Sequence, residues 1–141
     1  MNVFIVENSE IARGALQSVL SDMSDIRVVG HAVDEPGAIK RIDALLPDAV
    51  ILDLSLRSGS GIGVLENIKK HHATIKVIVF TNSTDDFYVD CCKRAGADYF
   101  FDKSFQFTQL REVLWKWTHT DRLDNKLRSG NKLNALQIAK G

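Results

Sequence analysis

Cysteine is nearly missing from this chain: the only two in 141 residues, Cys91 and Cys92, stand side by side. Sequence neighbours form neither a disulfide framework nor the spaced ligand pairs of a zinc site, so both read as reduced thiols on a helix. Net charge is missing too. The 18 basic and 18 acidic residues cancel, which removes the electrostatic field expected of a nucleic-acid binder. No stretch approaches the roughly 18 continuous apolar residues of a membrane span. The start, Met1-Asn2-Val3-Phe4 with Glu7 close behind, lacks the basic residues and apolar core of a secretory leader. Together these absences predict a soluble, cytoplasmic protein with no membrane insertion and no direct DNA binding. A hydrophobic content of 45% is ordinary for a globular protein, and the length favours one domain with a small remainder.

What is present is organised around Asp53. It closes the apolar run Ala49-Val50-Ile51-Leu52, the pattern of a buried parallel strand that delivers a charge at its carboxyl end, where α/β proteins keep their sites. An unpaired buried carboxylate is costly, so a partner is required. Three other runs end in the same way: Val3-Phe4-Ile5-Val6 in Glu7-Asn8, Val77-Ile78-Val79-Phe80 in Thr81, and Tyr99-Phe100-Phe101 through Asp102 in Lys103.

Between these runs the apolar spacing is helical. Ser9 is placed to cap a helix carrying Ile11, Ala15, Leu16, Val19 and Leu20. A strand is expected over 26–33, then a helix capped by Asp34 that carries Ile39, Ile42, Leu45 and Leu46 and is stopped by Pro47. Gly59 and Gly61 open the next connection, after which Val64, Leu65 and Ile68 mark one face of a third helix. A fourth runs from about 85 to 94 and stops at Gly96, and Leu110, Val113, Leu114 and Trp117 stripe a fifth. Strand centres near Val3, Val28, Val50, Val77 and Tyr99 are 25, 22, 27 and 22 residues apart, room each time for a strand, a helix and two loops. The fold class predicted is therefore α/β, a flavodoxin-like (βα)5 three-layer sandwich with parallel strand order 2-1-3-4-5. That order sets Glu7 and Asn8 beside Asp53, with Thr81 and Lys103 on the following strands.

These groups suit phosphoryl chemistry. A magnesium ion takes hard oxygen ligands, which Asp53, Glu7 and the Asn8 amide could supply. A carboxylate can attack phosphorus, in a reaction governed by positioning and charge neutralisation. Lys103 could pair with one phosphoryl oxygen and Thr81 donate to another. Each residue also has an ordinary explanation: Asp53 as a helix cap, Lys103 as a solvated loop lysine, Thr81 as a strand end bonding backbone, and Phe100 as core. The loop Arg57-Ser58-Gly59-Ser60-Gly61 lacks the lysine pattern of a nucleotide-binding loop. His31, His71, His72 and His119 show no ligand spacing and are assigned no chemistry.

Ile5-Val6-Glu7-Asn8, Val50-Ile51-Leu52-Asp53 with Gly61 eight positions on, Val79-Phe80-Thr81, and the stretch Ala95-Gly96-Ala97-Asp98-Tyr99-Phe100-Phe101-Asp102-Lys103 resemble the receiver domain of bacterial two-component response regulators over about residues 2–118. The resemblance implies that Asp53 accepts phosphate from a histidine kinase or phosphotransfer protein. It further implies that Glu7, Asn8, Asp53 and the Ser55 backbone carbonyl hold Mg2+, and that Thr81 and Lys103 read the phosphoryl group, with Thr81 and Phe100 as the switch pair. The chain departs from the family pattern in four places. Asn8 stands where a second acid is usual, which should weaken the metal site; Arg57 and Ser104 replace common prolines; and Asn82 is bulkier than the residue often found after the threonine.

Residues 1–118 are accordingly taken as the receiver and 119–141 as a tail, helical in part or disordered. The tail holds five bases against two acids, with Leu123, Leu127, Leu133, Leu136 and Ile138 broken by Ser129-Gly130-Asn131. It is too short for a DNA-binding domain. The expected function is a stand-alone, non-enzymatic receiver acting on a downstream protein effector, with homodimer formation left open. The alternative is an interaction module that keeps the fold and works without phosphorylation. Enzymes on similar sheets fit less well. An aspartyl-nucleophile phosphatase would want an acid where Ser55 stands, and a flavin protein a different loop from Glu7-Asn8-Ser9-Glu10.

Overall fold

The computed structural model describes residues 1–127, with side-chain surroundings as far as residue 120. Five parallel strands, β1 (Asn2–Val6), β2 (Arg27–Ala32), β3 (Ala49–Leu52), β4 (Lys76–Thr81) and β5 (Tyr99–Asp102), form one sheet in the order β2-β1-β3-β4-β5. The helices are α1 (Glu10–Ser21), α2 (Glu35–Leu45), α3 (Gly61–His71), α4 (Asp86–Arg94) and α5 (Phe107–Leu127). The predicted flavodoxin-like class and strand order hold.

Strand parity divides the core in two. Phe4 and Val6 of β1 join Val50, Leu52, Val77, Val79 and Phe100 on the face covered by α2, α3 and α4. Their neighbours Val3 and Ile5 join Ile51, Ile78, Phe80 and Phe101 beneath Leu16 and Leu20 of α1 and Leu110, Leu114 and Trp117 of α5. Side chains alternate at every residue of a strand, and both faces of a doubly wound sheet are covered, so the runs must be apolar throughout.

Local punctuation behaves largely as the residue types dictate. Ser9 Oγ accepts from Ala12 N at 3.1 Å and Asp34 Oδ1 from Gly37 N at 2.8 Å, capping α1 and α2. α2 ends on Leu46 in the left-handed region, φ 47°, an uncommon setting for leucine directly before the Pro47 that bars further helix. Asp85 flanks α4 without a side-chain capping bond. α5 carries through position 118 to Leu127; the expectations for 128–141 lie outside the described residues. Among the described residues no helix is long and apolar enough to cross a membrane.

Candidate functional site

Register alone brings the strand-end groups together. Val6 pairs with Leu52 and Leu52 with Val79, so Glu7 and Asp53 emerge one residue past the paired ends. The Asp53 amide donates to Val6 O at 2.9 Å, and the Glu7 amide to Ala32 O at 3.0 Å. Thr81 is paired with Asp102, and the Lys103 amide donates to Thr81 O at 2.9 Å. Glu7, Asp53 and Thr81 are all buried, at 1%, 5% and 0% exposure.

Each Asp53 oxygen has a partner. Thr81 Oγ1 donates to Oδ1 at 2.8 Å, joined by a longer bond from the Ser55 amide at 3.3 Å, and Lys103 Nζ donates to Oδ2 at 2.8 Å. The same ammonium donates to Glu7 Oε1 at 2.8 Å, while the Ser9 amide reaches Glu7 Oε2 at 3.0 Å. Burial by itself would lower the Lys103 value; hydrogen bonds to Asp53 and Glu7 outweigh it and raise the ammonium above its ordinary range. One cation serves two carboxylates. A negative charge is left in excess beside a pocket of about 310 Å³ lined by Glu7, Asn8, Ser9, Asp53, Ser55, Asn82, Ser83 and Lys103.

Every expected site residue except Phe100 lies at this pocket or bonds a residue that does. Phe100 is buried in the β5 core on the α2–α4 side. Asn8 and Ser55 are exposed at the rim. The oxygen-rich lining fits a hard cation in kind, but two carboxylates already paired with an ammonium form a lean donor set. Among the described residues no group of three or more His, Cys, Asp or Glu side chains could hold a metal.

Two contacts were not foreseen. Ser104 Oγ donates to Asn82 Oδ1 at 2.9 Å, so two of the residues that depart from the family pattern bridge the loops after β4 and β5. Arg13 Nη1 donates to Glu7 O at 3.0 Å, fixing the loop that carries Asn8. Only the second had a local signal, an arginine six residues on in a capped helix. Away from the site, burial, aided by the neighbouring Cys91, pushes the Cys92 thiol up to about 12, which makes it unreactive. His72 Nε2 meets Asp43 Oδ1 at 2.7 Å, a contact between α2 and the end of α3.

The profile of the family described as response regulator receiver domain matches residues 3–115. The DNA-binding transcriptional activator EvgA of Escherichia coli K12 is 31% identical over 103 residues, 73% of this chain and 50% of that protein. The response regulator protein VraR of Staphylococcus saprophyticus is 30% identical over 116 residues, 82% of this chain and 56% of that one. Among solved structures, the response regulator domain of Thermotoga maritima CheB superposes with a TM-score of 0.73 at 27% identity, covering 85% of this chain and 94% of that domain. A LuxR-family DNA-binding response regulator from Staphylococcus aureus gives 0.76 at 26%, covering 83% and 98%.

The chain thus spans about half the length of the curated relatives it matches. These relatives correct one expectation. An output without DNA binding, through protein contacts alone, was inferred from zero net charge and a short tail. Relatives named for DNA binding share this receiver, so a neutral receiver is no argument against a DNA-binding output. Receiver domains as a family bind Mg2+ at the phosphorylation site. With four strand-end groups converging in register and a profile covering most of its length, the chain belongs to the response regulator receiver domain family.

Proposed function

We propose that residues 1–118 form a phosphoacceptor unit in which Asp53 takes a phosphoryl group from a phosphohistidine of a histidine kinase or phosphotransfer protein. The observation that carries this reading is a buried Asp53 with Thr81 on one oxygen and Lys103 on the other, at the mouth of a pocket. A carboxylate oxygen of Asp53 forms the bond to phosphorus as the bond to the donor imidazole nitrogen breaks, and that nitrogen keeps the electron pair. Lys103 shifts from the carboxylates to a phosphoryl oxygen, and Thr81 donates to another. Glu7, Asn8, Asp53 and the Ser55 carbonyl would hold Mg2+, which when bound neutralises charge on the phosphoryl oxygens. With Asn8 in place of an acid, its affinity is low.

Movement of Thr81 toward the phosphoryl group and a change at Phe100 convert the event into two populations of surface. The protein acts in the cytoplasm, is not an enzyme with turnover of its own, and serves transcriptional control, as do the relatives named for it. Acetyl phosphate or beryllofluoride with Mg2+ should shift the amide resonances of Thr81, Phe100 and Lys103 in the wild type and leave Asp53→Asn unmoved. An unchanged wild-type spectrum at saturating reagent overturns the reading. The competing reading, a receiver that works without phosphorylation, draws on one observation: Lys103 already pairs both acids. It requires Asp53→Asn to retain full signalling output.

A further inference from the structure

A third acid stands close behind the pocket without lining it. Glu35, in the first turn of α2, reaches across to the 55–60 loop that runs from Asp53 into α3. Its Oε1 accepts from the Ser60 amide at 2.8 Å, and its own amide donates to Ser58 O at 2.9 Å. The Arg57 amide donates to Val33 O at 3.0 Å, two residues before Glu35. Glycine makes room for this reach. A Cβ at Gly59 would stand 2.5 Å from both Cβ and Oε1 of Glu35, and one at Gly63 would collide with both of its carboxylate oxygens. Ser55 and Ser60 face each other across the base of the loop as an antiparallel bridge, so whatever holds Ser60 also holds Ser55.

We propose that Glu35 is a positioning residue for the phosphoacceptor site, latching the 55–60 loop so that the Ser55 carbonyl faces the pocket where Mg2+ binds. The inference rests on the phosphoacceptor reading above and adds a residue to it. Glu35 does not line the pocket. It acts through Ser60 and the Ser55–Ser60 bridge, as an outer partner fixes a ligand's orientation.

Two measurements on the full chain test the latch: Mg2+ affinity by titration of pocket amides, and hydrogen exchange at the Ser60 amide. Glu35→Ala should speed Ser60 exchange and weaken Mg2+ binding by about tenfold, the lower end of what outer partners of metal ligands are worth. Acetyl phosphate labelling should slow at limiting Mg2+ and recover at saturation, an effect on apparent affinity and not on the limiting rate. Glu35→Gln, which keeps an acceptor oxygen for Ser60, should behave as wild type; a merely structural loss of charge would not be rescued.

Gly63→Ala should mimic Glu35→Ala by displacing the carboxylate. In a Glu35→Ala background it should leave Mg2+ affinity where it was and raise the melting temperature, because alanine is the better helix former. Unchanged Mg2+ affinity in Glu35→Ala, with the wild type binding normally, overturns the latch alone. A wild type that binds no Mg2+ overturns the phosphoacceptor reading and the positioning role with it, while Ser60 exchange still reports whether Glu35 holds the loop.

Discussion

Lysine meets aspartate at both ends of this sheet, and the two meetings differ in what they leave over. At the amino-terminal edge Lys69 Nζ donates to Asp98 Oδ2 at 3.1 Å and to Ile75 O at 2.7 Å, and the Val77 amide also donates to Asp98 Oδ2, at 2.7 Å. One charge answers one charge, and one backbone carbonyl and one backbone amide add to the pair. At the carboxyl edge Lys103 must serve both Asp53 and Glu7, and a pocket opens beside them. The carboxylates there are also drier, at 6% and 2% side-chain exposure against 24% for Asp98. A closed pair holds loops together. An unbalanced, desolvated pair at a pocket is held ready for a further charged group, as functional sites commonly are.

The widest separation between the two ends should come from chemistry. Asp53→Asn is expected to abolish covalent labelling by acetyl phosphate with Mg2+, read as intact protein mass, while Asp98→Asn labels normally. Labelling of a different acid in the wild type would break the comparison. Stability should separate them next. Lys103→Met leaves two buried carboxylates without their cation and should cost about 3 kcal/mol in chemical denaturation; Lys69→Met, at a wetter pair, should cost about 1 kcal/mol. Equal losses would mean that burial does not distinguish the ends.

A smaller effect is expected from Asn8→Asp, which adds a carboxylate to the lean donor set and should tighten Mg2+ binding by about tenfold, roughly 1.4 kcal/mol. Identical titration curves would show that Asn8 is no deficit. The last effect is alkaline. Burial works to lower the Lys103 value, yet bonds to Asp53 and Glu7 hold it above the 10.5 of free lysine. Its stabilising contribution is therefore whole below about pH 10.5 and fades as pH rises through the folded value. Denaturation of wild type and Lys103→Met should differ most near neutrality and converge at strongly alkaline pH; a constant gap would contradict the pairing.

Most of the acid-lysine end was legible in the residues. Val50, Ile51 and Leu52 leading into Asp53, and the like runs into Glu7, Thr81 and Lys103, carry both the strand and its product at the carboxyl end. A parallel sheet with crossovers on both faces then has little choice about where those ends meet. Less legible was who pairs with whom. Lys103 was expected to wait for a phosphoryl oxygen, and it bridges two acids, one of them 96 positions away. Asn82 and Ser104 were read separately as departures and turned out to share a hydrogen bond. Asp85, a good capping residue by type, makes no side-chain cap, because a favourable residue type does not aim an oxygen at a particular amide.

Periodicity, helix-breaking residues and the alternation of strand faces were enough to set the elements, their order and the edge of the sheet at which charge accumulates, since each depends on chain neighbours a few positions apart. Folding in three dimensions alone decided that one ammonium would answer two acids, that Glu35 would be cradled by Gly59 and Gly63, and that Phe100 would lie inward. Those outcomes depend on ångström-scale distances between segments far apart in the chain, and on which polar group, once desolvated, finds a partner within reach.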